Sequence, residues 1–109
     1  MKYDLLVVGA GPAGLTAAIH ARARNKSVLV VSNQPTASPL CKAVQMDNYP
    51  GIPHVNGLDL VERLVAQATD LGAQLRLGRV LRLMHLRDSV MASIGDHVEE
   101  ASAPILAVG

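Results

Sequence analysis

MKYDLLVVGAGPAGLTAAIHARARN, residues 1–25, decides how this chain folds. Leu5-Leu6-Val7-Val8 is a short, uninterrupted apolar run, as expected of a strand buried on both faces of a parallel sheet. It leads straight into Gly9-Ala10-Gly11-Pro12-Ala13-Gly14, a G-x-G-x-x-G, and then into the helix-prone Leu15-Thr16-Ala17-Ala18-Ile19. In such a turn Gly9 permits the tight strand-to-helix reversal and Gly11 lets a pyrophosphate approach the backbone. Gly14 lets the helix pack closely on the strand. Pro12 suits the first helical turn, where its missing N–H is no loss. The free amides there, with about half a positive charge from the helix dipole, point at the phosphates. A bare glycine motif is a weak signal; the strand before it and the helix after it supply the context that gives it meaning. The competing reading is a glycine-rich turn that binds nothing.

The pattern continues outward from that turn. The helix is predicted over Pro12 to Arg24, with Asn25 as a left-handed cap. Ser27 to Val31 reads as a second buried strand, completing a βαβ unit of about thirty residues. At the end of that strand a dinucleotide-binding fold places an acid on the ribose hydroxyls. This chain has Ser32, Asn33 and Gln34 there, neutral groups that hold a ribose less strongly than a carboxylate does. Residues 33–57 show no helix or strand pattern and are punctuated by Pro35, Pro39, Pro50, Pro53, Gly51 and Gly57. A loop of that length in a compact domain is usually functional, and disorder is the other reading.

Leu60, Val61, Leu64, Val65, Ala68 and Leu71 then recur at helical spacing and make one apolar face, a core stripe. Asn56 is its N-cap, Asp59 approximates a capping box, and Gly72 closes it. Leu75 to Leu77 is a short strand ending at Gly78. Val80 to Leu86, Ser89 to Ile94 and His97 to Ala101 read as three short strands, with Arg87-Asp88 and Gly95-Asp96 in the turns. Pro104 to Val108 is a further buried strand. The order implies one α/β domain over 1–109, a mostly parallel sheet with a small three-stranded antiparallel excursion.

Composition narrows the function classes. Half of the 109 residues are hydrophobic and 17% are charged, enough for a core and unlike a disordered tail. With two Tyr, no Phe and no Trp, platforms for stacking single-stranded nucleic acid are not expected. The net charge is +1, and no basic run indicates a phosphate-backbone partner. Arg22, Arg24 and Lys26 form the longest basic cluster, read as a solvated helix end. One cysteine excludes an intrachain disulfide or a Cys-rich zinc site, and His20, His54, His85 and His97 share no ligand-like spacing. No metal site is expected. No apolar run reaches membrane-spanning length, Asp4 and the glycine loop stand where a signal peptide would need its apolar stretch, and the expectation is a cytoplasmic protein.

The motif order resembles the N-terminal half of the FAD domain of thioredoxin-reductase-like flavoproteins, within the pyridine nucleotide-disulfide oxidoreductase superfamily. Residues 3–25, 47–75 and 104–109 carry the resemblance, above all the NYPGIP segment (48–53) before a Gly-x-x-Leu helix and the terminal PILAVG. It spans nearly the whole chain and is weakest over 32–46. It implies a Rossmann-like FAD/NAD(P)-binding fold. It also implies FAD on Gly9, Gly11, Pro12, Ala13 and Gly14, with Ser32 and Asn33 beside the adenosine ribose. Asn48 would lie near the flavin, Val80 would offer backbone groups to the adenine, and Ala107 and Gly109 would flank the cofactor.

Three departures stand beside it. Where the family often has Gly-Gly-Gln, this chain has Ser38-Pro39-Leu40-Cys41-Lys42. Where related reductases place a second cysteine five positions on, Cys41 is followed by Met46, so no redox pair forms. Lys42 would lower the pKa of a lone reactive thiol, but an inert cysteine is the plainer reading. The inserted NADPH domain, its Cys-x-x-Cys and the returning Gly-Asp segment have no counterpart. The expectation is therefore an FAD-binding portion of an NAD(P)H-dependent oxidoreductase, inactive alone, with no catalytic side chain of its own; His54 reads as a solvated loop residue. NADPH or NADH belongs only to the intact enzyme. A missing domain, a second chain or a homodimer is left open as partner. The alternatives are a non-catalytic nucleotide-binding module, a truncated remnant that binds nothing, and an NAD-binding Rossmann protein, which the NYPGIP segment and the three-strand excursion disfavour.

Overall fold

β-branched and leucine side chains in unbroken runs build the centre of the molecule. A computed structural model describes residues 2–33 and 56–107. Its strands and helices are β1 (Lys2–Val8), α1 (Pro12–Ala23), β2 (Val28–Ser32), α2 (Gly57–Asp70), β3 (Gln74–Leu77), β4 (Val80–His85), β5 (Val90–Ile94) and β6 (His97–Leu106). They form one six-stranded sheet of order β3-β2-β1-β6-β5-β4. β3, β2, β1 and the second half of β6 run parallel, while β4, β5 and the first half of β6 pair antiparallel.

Both helices end as their sequences dictate. Asn25 takes the left-handed conformation at φ 61°, and the amides of Asn25 and Lys26 donate to the carbonyls of Arg22 and Ala21. Gly72, at φ 104°, closes α2 the same way, its own amide and that of Ala73 donating to Thr69 and Ala68. These are paired Schellman caps, which satisfy carbonyls that a helix end otherwise leaves without donors. At the start of α2 the Asn56 side chain accepts from the Asp59 amide at 2.7 Å. The Asp59 carboxylate turns away to Arg63 at 3.2 Å.

Two cores sit on opposite faces of the parallel strands. Val7, Val28 and Val30 pack against Leu15 and Ala18 of α1 and Leu60, Leu64 and Ala68 of α2. Tyr3, Leu6, Leu29 and Val31 pack against Val90, Ala92 and Ile94 of β5. β2 and β5 are not neighbours in the sheet, so β4 and β5 must curl back over the face opposite the helices. Full burial of each such Leu or Val contributes about 1.5–3 kcal/mol. Two polar contacts tie the roll together. Arg76 Nη1 meets Glu99 Oε1 at 2.8 Å, and the Tyr3 hydroxyl donates to Gln74 at 3.0 Å.

The structure corrects three expectations, and the sequence itself a fourth. The strands expected at His97–Ala101 and Pro104–Val108 are one continuous strand, β6, through Leu106. Pro104 is tolerated there because the Ala107 amide donates to Val8, so by alternation the Pro104 nitrogen faces away from β1, beyond the end of β5. Leu71 leaves the apolar stripe: it is the C-cap of α2 and 42% exposed, because the cap swings its side chain off the core face. Arg22 is no solvated helix end, since its guanidinium donates to the carbonyls of Leu71 at 2.8 Å and Lys26 at 3.0 Å. The longest basic run lies elsewhere, over residues 75–87, with Arg76, Arg79, Arg82 and Arg87 and no acid.

Candidate nucleotide-binding site

The carboxyl ends of β1, β2, β3 and β6 come together on one rim of the parallel sheet. Chain order departs in opposite directions at β1, toward β2 on one side and β6 on the other. Such a switch point opens a crevice where ligands of open α/β sheets bind.

The glycine turn fills the β1 end of that rim. Gly9 holds φ at 111°, a region side chains avoid, and its amide donates to Val31 at 2.9 Å. Gly14 is the close-approach glycine. A Cβ on it would lie 2.2 Å from the Gly9 carbonyl oxygen, 3.1 Å from Val7 and 3.2 Å from the Ala107 methyl. Gly11 differs in kind: its φ of −77° suits any residue, and among the described residues a Cβ there meets nothing within 4 Å. Among the described residues that side of the turn is open, where an approaching ligand would be. Pro12 occupies the first turn of α1, and no side chain among the described residues caps the helix. Among the described residues no acceptor serves the amides of Ala13 and Gly14. Those donors and the dipole behind them form an anion cradle.

The remaining expected positions fall on the same rim or outside the described residues. Ser32 ends β2 half-buried and donates its hydroxyl to the Asn33 carbonyl at 2.6 Å, while Asn33 is exposed. Val80 packs its side chain on the second core, leaving only its backbone for recognition. Ala107 lies against Gly14, with its amide on Val8 at 2.8 Å. Asn48, Gly109, Cys41, Lys42 and His54 lie outside the described residues.

Gly78 and Arg79 were not singled out from the sequence. The Gly78 amide donates to the Ser32 carbonyl at 2.9 Å, bringing the β3–β4 turn beside the end of β2. The available signal was the acid-free run of four arginines over 75–87. The other 96 residues hold six Lys or Arg against nine Asp or Glu. Among the described residues, no group of three side chains is placed to hold a metal ion, and no helix is long and apolar enough to cross a membrane.

A family profile described as an FAD binding domain matches residues 4–44. The chain is 27% identical over 107 residues to the thioredoxin reductase of Listeria monocytogenes, covering 98% of this chain and 34% of that protein. A thioredoxin reductase structure from Streptococcus pyogenes superposes with a TM-score of 0.93 at 29% identity, covering 99% of this chain and 35% of that one. A ferredoxin-flavin thioredoxin reductase from Clostridium acetobutylicum superposes with a TM-score of 0.85 at 30% identity, covering 96% and 37%. This chain thus spans about a third of the length of the relatives it matches.

Proposed function

Because the chain corresponds to the N-terminal FAD-domain portion of the thioredoxin-reductase-like flavoproteins, we propose that residues 1–109 form the FAD-binding part of an NAD(P)H-dependent flavin oxidoreductase. The observation that carries this reading is the β1–α1 turn. Gly9 and Gly14 are required by the fold, whereas among the described residues Gly11 leaves open space before a helix end that no side chain caps.

In this reading Gly9, Gly11, Pro12, Ala13 and Gly14 present the backbone to the pyrophosphate. Ser32 and Asn33 meet the ribose, the Val80 backbone meets the adenine, and Ala107 walls the crevice. Asn48 and Gly109 complete the set. Bound FAD supplies the hydride and electron chemistry. This chain's residues bind and orient; no side chain among the described residues is cast as acid, base or nucleophile. The choice between NADPH and NADH as electron donor is made outside these residues. The chain alone is inactive, its partners are a further domain or a second chain, and it works in the cytoplasm.

An absorbance spectrum after incubation with excess FAD and removal of free cofactor tests the reading. Near-stoichiometric flavin bands are expected. A colourless protein with a cooperative melting transition refutes autonomous FAD binding.

A further inference from the structure

The strand ends that face the adenosine ribose in this reading, Ser32-Asn33 and Leu77-Gly78-Arg79, carry no carboxylate. The Ser32 hydroxyl is engaged by the Asn33 carbonyl at 2.6 Å, which leaves it a weak donor toward anything else. The Gly78 amide on the Ser32 carbonyl sets Arg79 one residue from the end of β2. That turn is held from beneath, since a Cβ on Gly78 would lie 3.2 Å from Ile94. Directly outside it runs a groove of about 310 Å³, lined by Arg76, Arg79 and His97 over Leu77 and Leu81, with Asp96 its one acid among the described residues. Glu99 holds the Arg76 guanidinium at 2.8 Å. Arg79 is exposed.

In dinucleotide folds an acid at the end of the second strand grips the ribose hydroxyls and so excludes a phosphate there, whereas a nearby arginine accommodates one. Here the acid is absent and an arginine stands in its neighbourhood. We propose that this corner accepts a phosphate on the adenosine ribose. The glycine-turn site then takes a 2′- or 3′-phosphorylated adenine nucleotide as a second ligand, competing with FAD, with Arg79 as the specificity-determining residue. The proposal rests on the reading of the glycine turn as a pyrophosphate cradle.

Calorimetric titration of the full chain with 5′-AMP, 2′,5′-ADP and 3′,5′-ADP, with FAD titrated separately, tests it. One of the two bisphosphates is expected to bind about tenfold tighter than 5′-AMP, as one charge-assisted contact provides, and to displace FAD. The isomer preferred identifies the position of the phosphate. Arg79→Ala is expected to erase the preference while leaving 5′-AMP binding unchanged. Equal binding of all three nucleotides, or a preference that survives Arg79→Ala, overturns the proposal even if FAD binds. An Arg79-dependent preference without FAD binding upholds the phosphate site but overturns the competition and removes FAD as the ligand of the glycine turn. Binding of none of the four ligands removes both.

Discussion

Gly11 and Gly14 stand in one turn and answer to different constraints. Gly14 has no room for a methyl group, because the obstacle at 2.2 Å is a backbone oxygen that cannot step aside. Gly14→Ala is expected to destabilise the fold by about 1–3 kcal/mol, read by urea denaturation. Gly11→Val is expected to leave the melting temperature within a few degrees and to lower FAD affinity at least about tenfold. Loss of folding in Gly11→Val would contradict the geometry. Asp4 gives a pH-dependent counterpart. The Ser27 amide, donating at 2.8 Å, holds the Asp4 carboxyl below its ordinary value of 3.8. Its contribution is therefore present above pH 3.8 and lost as pH falls through the lowered value. Between pH 5 and pH 2 the melting temperature of Asp4→Asn is expected to fall less steeply than that of the parent chain. The jobs of the glycines were legible in the sequence because φ and Cβ space follow from a motif in its context. The Gly78–Ser32 bond was not, since it joins positions that only the folded sheet brings together.

At the scale of elements, termini were more legible than lengths. Asn56, Asn25 and Gly72 announce helix ends by local chemistry, and each cap forms as read. Asn56→Ala is expected to cost about 1 kcal/mol of thermal stability. Arg22 reached further than its local sequence suggested. By bonding the Leu71 and Lys26 carbonyls it docks the end of α2 on the end of α1, and it places a cation at the negative end of a helix dipole. Arg22→Ala is expected to lower stability by about 1–2 kcal/mol in the same assay. The Ala101-Ser102-Ala103-Pro104 stretch read as a break because proline ordinarily interrupts a ladder. Which way its nitrogen faces depends on the partner strand, and no sequence window contains that partner.

For the molecule as a whole, the fold class was legible because the central parallel strands β1 and β2 are apolar runs. The curl of the sheet was not. Its fastenings join distant positions, Arg76 to Glu99 and Tyr3 to Gln74. The Glu99 side chain is 13% exposed, and its Oε2 is buried without a partner among the described residues. Removing Arg76 therefore leaves a largely buried carboxylate unpaired. Arg76→Ala is expected to cost about 2 kcal/mol, reduced from the fully buried case because the arginine is 32% exposed. Chemical denaturation of the variant against the parent checks it.

β6 belongs to both layers, antiparallel to β5 and then parallel to β1, so Lys2 pairs with Glu100 and Val8 with Leu106. During synthesis, then, β1 waits for a partner strand that does not begin until His97. Until β6 emerges, β1 has β2 as its one partner strand in this sheet, and its other edge stays open to any passing strand. The wait favours slow assembly and dependence on chaperones for nascent chains.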